Sequence, residues 1–121
     1  MGDFVSKTGK FNLRERLLTF SKRVIEIAKK LPRTPECDNI RKQLVAAGTS
    51  VGANYEETDG AISKKGFRYK MATARKEANE SRYWLRVVSG SYLDPEEVGT
   101  DIKESTEIIN IFSSIISKTQ K

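Results

Sequence analysis

A chain of 121 residues with 31% charged side chains and a mean hydropathy of −0.54 fits one soluble domain, large enough to bury a core without staples. A single Cys37 excludes an intramolecular disulfide, no apolar run approaches the roughly 18 residues of a membrane span, and histidine is absent. The last absence removes the commonest general base, the commonest metal ligand and every histidine-dependent triad. The first residues lack a secretory h-region, so a cytoplasmic location is expected.

The formal net charge of +6 is unevenly spread. Residues 1–35 and 63–93 each carry +6, whereas residues 36–62 and 94–121 each carry −3. These four segments coincide with four helical patterns, preceded by an arm over residues 1–11. Asn12 followed by Glu15 reads as a capping box, and Leu13, Leu17, Phe20, Val24, Ile27 and Leu31 then alternate by four and three. Pro32 stops this first helix. Thr34 and Pro35 start a second, expected to run to about Asp59 with a stop at Gly60.

The second helix is crowded with small residues at Ala46, Ala47, Gly48, Ser50, Gly52 and Ala53, yet keeps helical spacing at Ile40, Leu44, Val51 and Tyr55. Each interior glycine costs a helix about 1 kcal/mol against alanine, so a close approach by a neighbouring helix is expected. Ser63 caps a third helix whose seam is Phe67, Met71, Ala74, Ala78, Ser81, Leu85, Val88 and Tyr92. In an antiparallel hairpin, its small middle residues Ala74 and Ala78 are expected to face Gly48 and Leu44. Asp94, Pro95 and Glu97 open a fourth helix. Its apolar residues from Val98 to Ile116 cover about half the circumference, implying either unusually deep burial or contacts with another copy. Ile108, Ile111, Ile115 and Trp84 are the candidate contacts. The pattern predicts an all-α, up-down-up-down antiparallel four-helix bundle over residues 12–121 as one domain.

Bundle carboxylates can hold two metal ions, but such centres need Glu-x-x-His pairs, which this chain lacks. Glu57, Glu77 and Glu80 are therefore expected to pair with Arg41, Arg75 or Arg82 along the seam between helices two and three. No metal, cofactor or catalytic residue is expected. Asn54 reads as a buried amide that fixes register rather than a ligand contact. Tyr83 and Trp84 sit among Arg82 and Arg86, an arrangement suited to stacking on bases, although packing is the simpler reading. Cys37 lies near a helix N-terminus with no histidine beside it, which argues against a catalytic thiol.

Lys64, Lys65, Arg68 and Lys70 place four charges in seven residues at the wrong end of a helix for its dipole. With Lys22, Arg23, Lys29 and Lys30 of helix one, they form the candidate surface for RNA or DNA. The competing view is internal. With helices one and three on one diagonal, each basic helix lies between two acidic ones and can be neutralised there, though the positive surplus is the larger.

Three strings together carry a resemblance: Gln43-Leu44 with Ser50-Val51-Gly52-Ala53-Asn54-Tyr55-Glu56-Glu57, then Ala61 to Phe67, then Lys76 to Leu85. They resemble the four-helix-bundle family whose founding members are encoded in intervening sequences of bacterial 23S ribosomal RNA genes. The likeness is close over about residues 13–93 and general in helix four. It maps the family's Ser-x-x-Ala-Asn segment and the acid that follows onto Ser50, Ala53, Asn54 and Glu57, and its acidic pair onto Glu77 and Glu80; with Gly48 and Gly52 these residues make the structural motif. Gly66 departs from it, since an acid usually precedes the phenylalanine. The resemblance implies a ring-like homopentamer in a bacterial cell. It also points to the accessory proteins of diversity-generating retroelements, which form basic pentamers that engage nucleic acid and a reverse transcriptase. The alternative to a nucleic-acid binder is a protein scaffold or adaptor.

Overall fold

A computed structural model describes residues 12–120; the arm expected over residues 1–11 and Lys121 lie outside the described residues. Four helices account for nearly all of it: α1 (Leu13–Lys29), α2 (Pro35–Glu56), α3 (Lys64–Val88) and α4 (Pro95–Thr119). All four expected N-caps are in place. The side chains of Asn12, Thr34 and Ser63 accept from the backbone N–H groups of Glu15, Cys37 and Gly66, at 3.2, 3.2 and 3.0 Å. Asp94 and Glu97 complete a capping box at the start of α4. Each cap satisfies a donor that the first helical turn would otherwise leave unpaired.

The helices run antiparallel in sequence order, and polar pairs show the register. Along α1 and α4, Arg16 meets Glu104, Arg23 meets Asp101 and Lys30 meets Glu97, one number rising as the other falls. Along α3 and α4 the same holds for Arg68 with Thr119, Arg75 with Ser113 and Arg82 with Thr106. Helix α1 packs on α2 and α4, α3 packs on α2 and α4, and α1 and α3 lie across the diagonal. The bundle is thus up-down-up-down.

The core is the predicted seam. Leu13, Leu17, Phe20, Val24, Ile27 and Leu31 of the α1 segment are buried, as are Ile40, Leu44, Val51 and Tyr55 of α2 and Met71, Ala74, Ala78, Ser81, Leu85 and Val88 of α3. Tyr55 and Phe112 meet across the other diagonal with near-parallel rings, 6.2 Å between centroids. Cys37 is fully buried and serves as core filling.

The structure departs from expectation at four places. Helix α2 stops at Glu56 and tightens into a 3₁₀ turn over Glu57–Gly60, where the buried Thr58 hydroxyl donates to the Tyr55 carbonyl. The α3 seam ends at Val88, because Gly90 takes the left-handed conformation at φ +81° and the chain turns back. Tyr92 consequently lies outside the helix and is exposed. On α4, Ile108 and Ile115 are closed inside the chain's own core, at 0% and 3% exposure, so neither can glue copies together. Deep burial, rather than a second copy, accounts for most of that wide apolar arc; Ile102, Ile109 and Ile111 are half-buried.

The fourth departure concerns the glycines, which face α1 rather than α3. A Cβ on Gly48 would stand 2.6 Å from Cγ1 and 2.9 Å from Cβ of Val24. Val24 is β-branched and fully buried, so it cannot swing aside. The bare Gly48 backbone also lets the Ser21 hydroxyl donate to its carbonyl at 3.0 Å. At Gly52 a Cβ would make only ordinary contact, 3.5 Å from Cβ of Leu17. Small residues do draw two helices together, but the pair is α1 and α2. Two substitutions separate these cases. Gly48→Ala should destabilise the chain by about 1–3 kcal/mol through overpacking, whereas Gly52→Ala should stabilise it by about 0.5–1 kcal/mol through helix propensity. Urea unfolding of both variants measures the contrast.

Candidate nucleic-acid interface

The basic helices α1 and α3 both lie against the acidic-segment helices, but their arginines meet different partners. On α1, the Arg16 guanidinium makes a fork to Glu104, with Nε to Oε2 at 2.6 Å and Nη2 to Oε1 at 2.8 Å, and adds Glu107 at 2.7 Å. Its pKa rises above the ordinary arginine value, through the Glu104 hydrogen bond first, against burial and with help from Glu107. Arg23 makes a second fork, to Asp101 at 3.1 and 2.8 Å, which likewise raises its pKa. The Asp101 carboxylate is buried, so this pair neutralises a charge that has lost its water. Arg14 pairs with Glu56 and Asp59, Lys30 with Glu97, and Lys29 with Glu26. Of the four α1 candidates, then, Arg23, Lys29 and Lys30 are engaged by carboxylates, while Lys22 is exposed with no ion pair among the described residues.

Helix α3 is different. Lys64 and Lys65 are exposed at its first turn with no carboxylate partner among the described residues. Arg68 donates to the Thr119 carbonyl at 3.0 Å, Arg75 to the Ser113 hydroxyl at 3.1 Å, and Arg82 to the Thr106 hydroxyl and the Asn79 side-chain oxygen, each at 3.1 Å. All these acceptors are neutral. Arg86 is exposed and unpaired among the described residues. Among the described residues, only Lys70, bonded to Glu57, and Lys76, 3.9 Å from Glu77, have acidic partners on this helix; the Glu57 hydrogen bond raises the Lys70 pKa.

The expected pairing of Glu57, Glu77 and Glu80 with Arg41, Arg75 or Arg82 is therefore not what forms. Arg75 and Arg82 turn toward α4. Arg41 caps the end of α1, donating to the carbonyls of Ala28, Leu31 and Pro32 at 3.2, 2.8 and 3.0 Å while pairing with Asp38. Glu80 accepts from the Trp84 indole at 3.4 Å. The half-buried Trp84 stands edge-on to the exposed Tyr83, 5.1 Å between centroids. Asn54 donates to the Ser50 carbonyl one turn back at 2.8 Å, and Ser50 to Ala46 at 2.7 Å. Both bonds stay within α2, so Asn54 does not set register between helices. Among the described residues no three His, Cys, Asp or Glu side chains gather as a metal site would require, and no helix is long and apolar enough to cross a membrane.

The model of the family described as 23S rRNA-intervening sequence protein matches residues 10–114. The chain belongs to that family. A crystal structure of a protein of unknown function, from the S23 ribosomal protein family of Bacteroides thetaiotaomicron, superposes with a TM-score of 0.78. It is 35% identical, over 85% of this chain and 96% of that one. No curated protein matches. Sequence alone offers Arg75 and Arg82 as carboxylate partners, and Arg82 and Arg86 as neighbours of two aromatics suited to base stacking, but places none of the three in the candidate cationic surface. The available signal was spacing: Arg68, Arg75 and Arg82 recur every seven residues, as do Thr106 and Ser113 opposite them.

Two outcomes follow from the ion pairs. Arg23→Ala strands the buried Asp101 and should cost about 2 kcal/mol in urea unfolding. Lys29→Ala, which removes an exposed pair, should stay within about 0.5 kcal/mol. Glu77 is pushed up from its usual 4.5, by burial first and then by Glu80, with Lys76 opposing. The folded chain thus holds that proton to higher pH than the unfolded chain, so its contribution to stability declines as pH rises through the window just above 4.5. Glu77→Gln should remove this decline and raise stability at neutral pH, as unfolding across that window would register.

Proposed function

We propose that this protein is a non-enzymatic, homo-oligomeric four-helix bundle, pentameric as its family resemblance implies, that binds RNA or DNA through a cationic surface centred on α3. The observation that carries this reading is the contrast between the two basic helices. Carboxylates engage Arg14, Arg16, Arg23, Lys29 and Lys30 of the α1 segment, whereas Lys64, Lys65, Arg68, Arg75, Arg82 and Arg86 of α3 have none among the described residues. Repetition of such a subunit around a ring multiplies the phosphates it can neutralise.

Self-association draws support from the apolar surface that folding leaves open. A cyclic ring joins two different patches, one from each neighbour. One patch is the groove of about 360 Å³ between α1 and α2, lined by Leu18, Ile25, Gly52 and Ala53, with Leu18 47% exposed. Another lies on α3, where the exposed Tyr83 stands against the half-buried Trp84; Tyr69 is exposed about four turns earlier on the same helix. Ile111 is half-buried on α4. The same aromatic patch favours the second reading, a scaffold that binds another protein and uses its charge for solubility.

Light scattering behind a sizing column, with and without a short RNA, tests assembly and ligand together. The proposal expects a mass of several subunits and RNA retention that weakens steeply as salt rises. A strictly monomeric chain overturns the assembly. Absence of RNA and DNA binding even at low salt overturns the nucleic-acid reading in favour of the scaffold.

A further inference from the structure

We infer that the groove between α3 and α4 is the track on which a nucleic-acid strand lays its sugar–phosphate backbone, with Arg68, Arg75 and Arg82 as the contacts. This rests on the nucleic-acid reading above and assigns its place. Seven residues of helix advance about 10.5 Å, so the three guanidinium groups form a straight row along one side of α3. Lys64 and Arg86 share that side, extending the row to about 33 Å. Lys103 lies near the Arg86 end in the register set by Arg82 and Thr106.

The opposite wall of the groove is also free of acid. The side of α4 that faces α3 and the adjoining solvent presents Lys103, Thr106, Asn110, Ser113 and Ser117. The α4 carboxylates Asp101, Glu104 and Glu107 all turn the other way, to Arg16 and Arg23. One helix thereby gives its two basic neighbours opposite treatment: carboxylates for α1, two hydroxyls and a backbone carbonyl for α3. A neutral hydroxyl holds an arginine in place without cancelling its charge. A guanidinium has five N–H donors, and the bonds described use one in Arg68, one in Arg75 and two in Arg82. The remaining donors suit phosphate oxygens, which accept from the planar fork.

A second copy of the chain is a poorer match for this row. Exposed carboxylates without a cation among the described residues are Glu15, Glu36, Glu80, Asp94 and Glu96, scattered over the four helices and the cap of α4. They offer no line of acids to lie against three arginines in file. A phosphodiester backbone offers negative charge at every step.

The test is fluorescence anisotropy of a labelled oligouridylate against a salt series, with light scattering on every variant. Arg75→Gln/Arg82→Gln should weaken binding and lower the slope of log affinity against log salt by about 1.4, from two contacts of about 0.7 each. Arg33→Gln/Lys42→Gln removes the same charge elsewhere and should leave the slope unchanged. Asn110→Glu sets a carboxylate in the groove from an exposed position, removes no packed group, and should also weaken binding. Equal losses in both double variants, or wild-type affinity in the arginine variant and in Asn110→Glu, overturn the inference while leaving nucleic-acid binding intact. Loss of assembly in the arginine variant also overturns it, making the row a contact between copies. If the unaltered protein fails to bind at low salt, the function itself falls, and this site with it.

Discussion

The contact on which the bundle depends is the close approach of α1 and α2 at Gly48. There the Val24 side chain lies where a Cβ would stand, and the Ser21 hydroxyl reaches the Gly48 carbonyl. That single contact fixes the distance and rotation of α1 over α2. With that rotation set, Arg16 and Arg23 fall on the α4 side and Arg14 on the α2 side. The electrostatics of the bundle are thus a consequence of packing, not its cause. A buried carboxylate such as Asp101 is tolerable only because α1 is held where Arg23 can reach it.

Much of this architecture was legible in the chain because it is written locally. Asn12, Thr34, Ser63 and Asp94 announce four helix starts through hydrogen bonds to their own next few residues, and all four form. The apolar periods mark the core faces for the same reason: a helix carries its pattern wherever it goes. What stayed illegible depends on how helices rotate against one another. Gly48 advertises a close neighbour without saying which, and α1 rather than α3 fills the space. The wide apolar arc of α4 is compatible with interior or interface, and the tertiary placement of Ile108 and Ile115 resolves it inward.

The candidate surface was half legible for a related reason. Charge totals identify α1 and α3 as basic with equal force, since a sum over residues carries no direction. The distinction arises from which side of α4 bears acids. Glu104 and Glu107 lie toward α1, while Thr106 and Ser113 lie toward α3. Serine and threonine contribute nothing to a charge count, so the feature that leaves α3 cationic is silent in composition. Lys29 and Lys30 looked like candidates on the same footing as Lys64 and Lys65, and only geometry separates them.

The two-sidedness of α4 divides the labour of its surface between separate constraints. Exchanges on the flank carrying Asp101, Glu104 and Glu107 are answerable to folding, because each severs a bridge to α1. Exchanges on the flank carrying Asn110, Ser113 and Ser117 touch no buried charge and retune only the field above α3. A lineage of such bundles can therefore change its appetite for anions by drifting along a single strip of small polar residues, with the scaffold beneath left undisturbed.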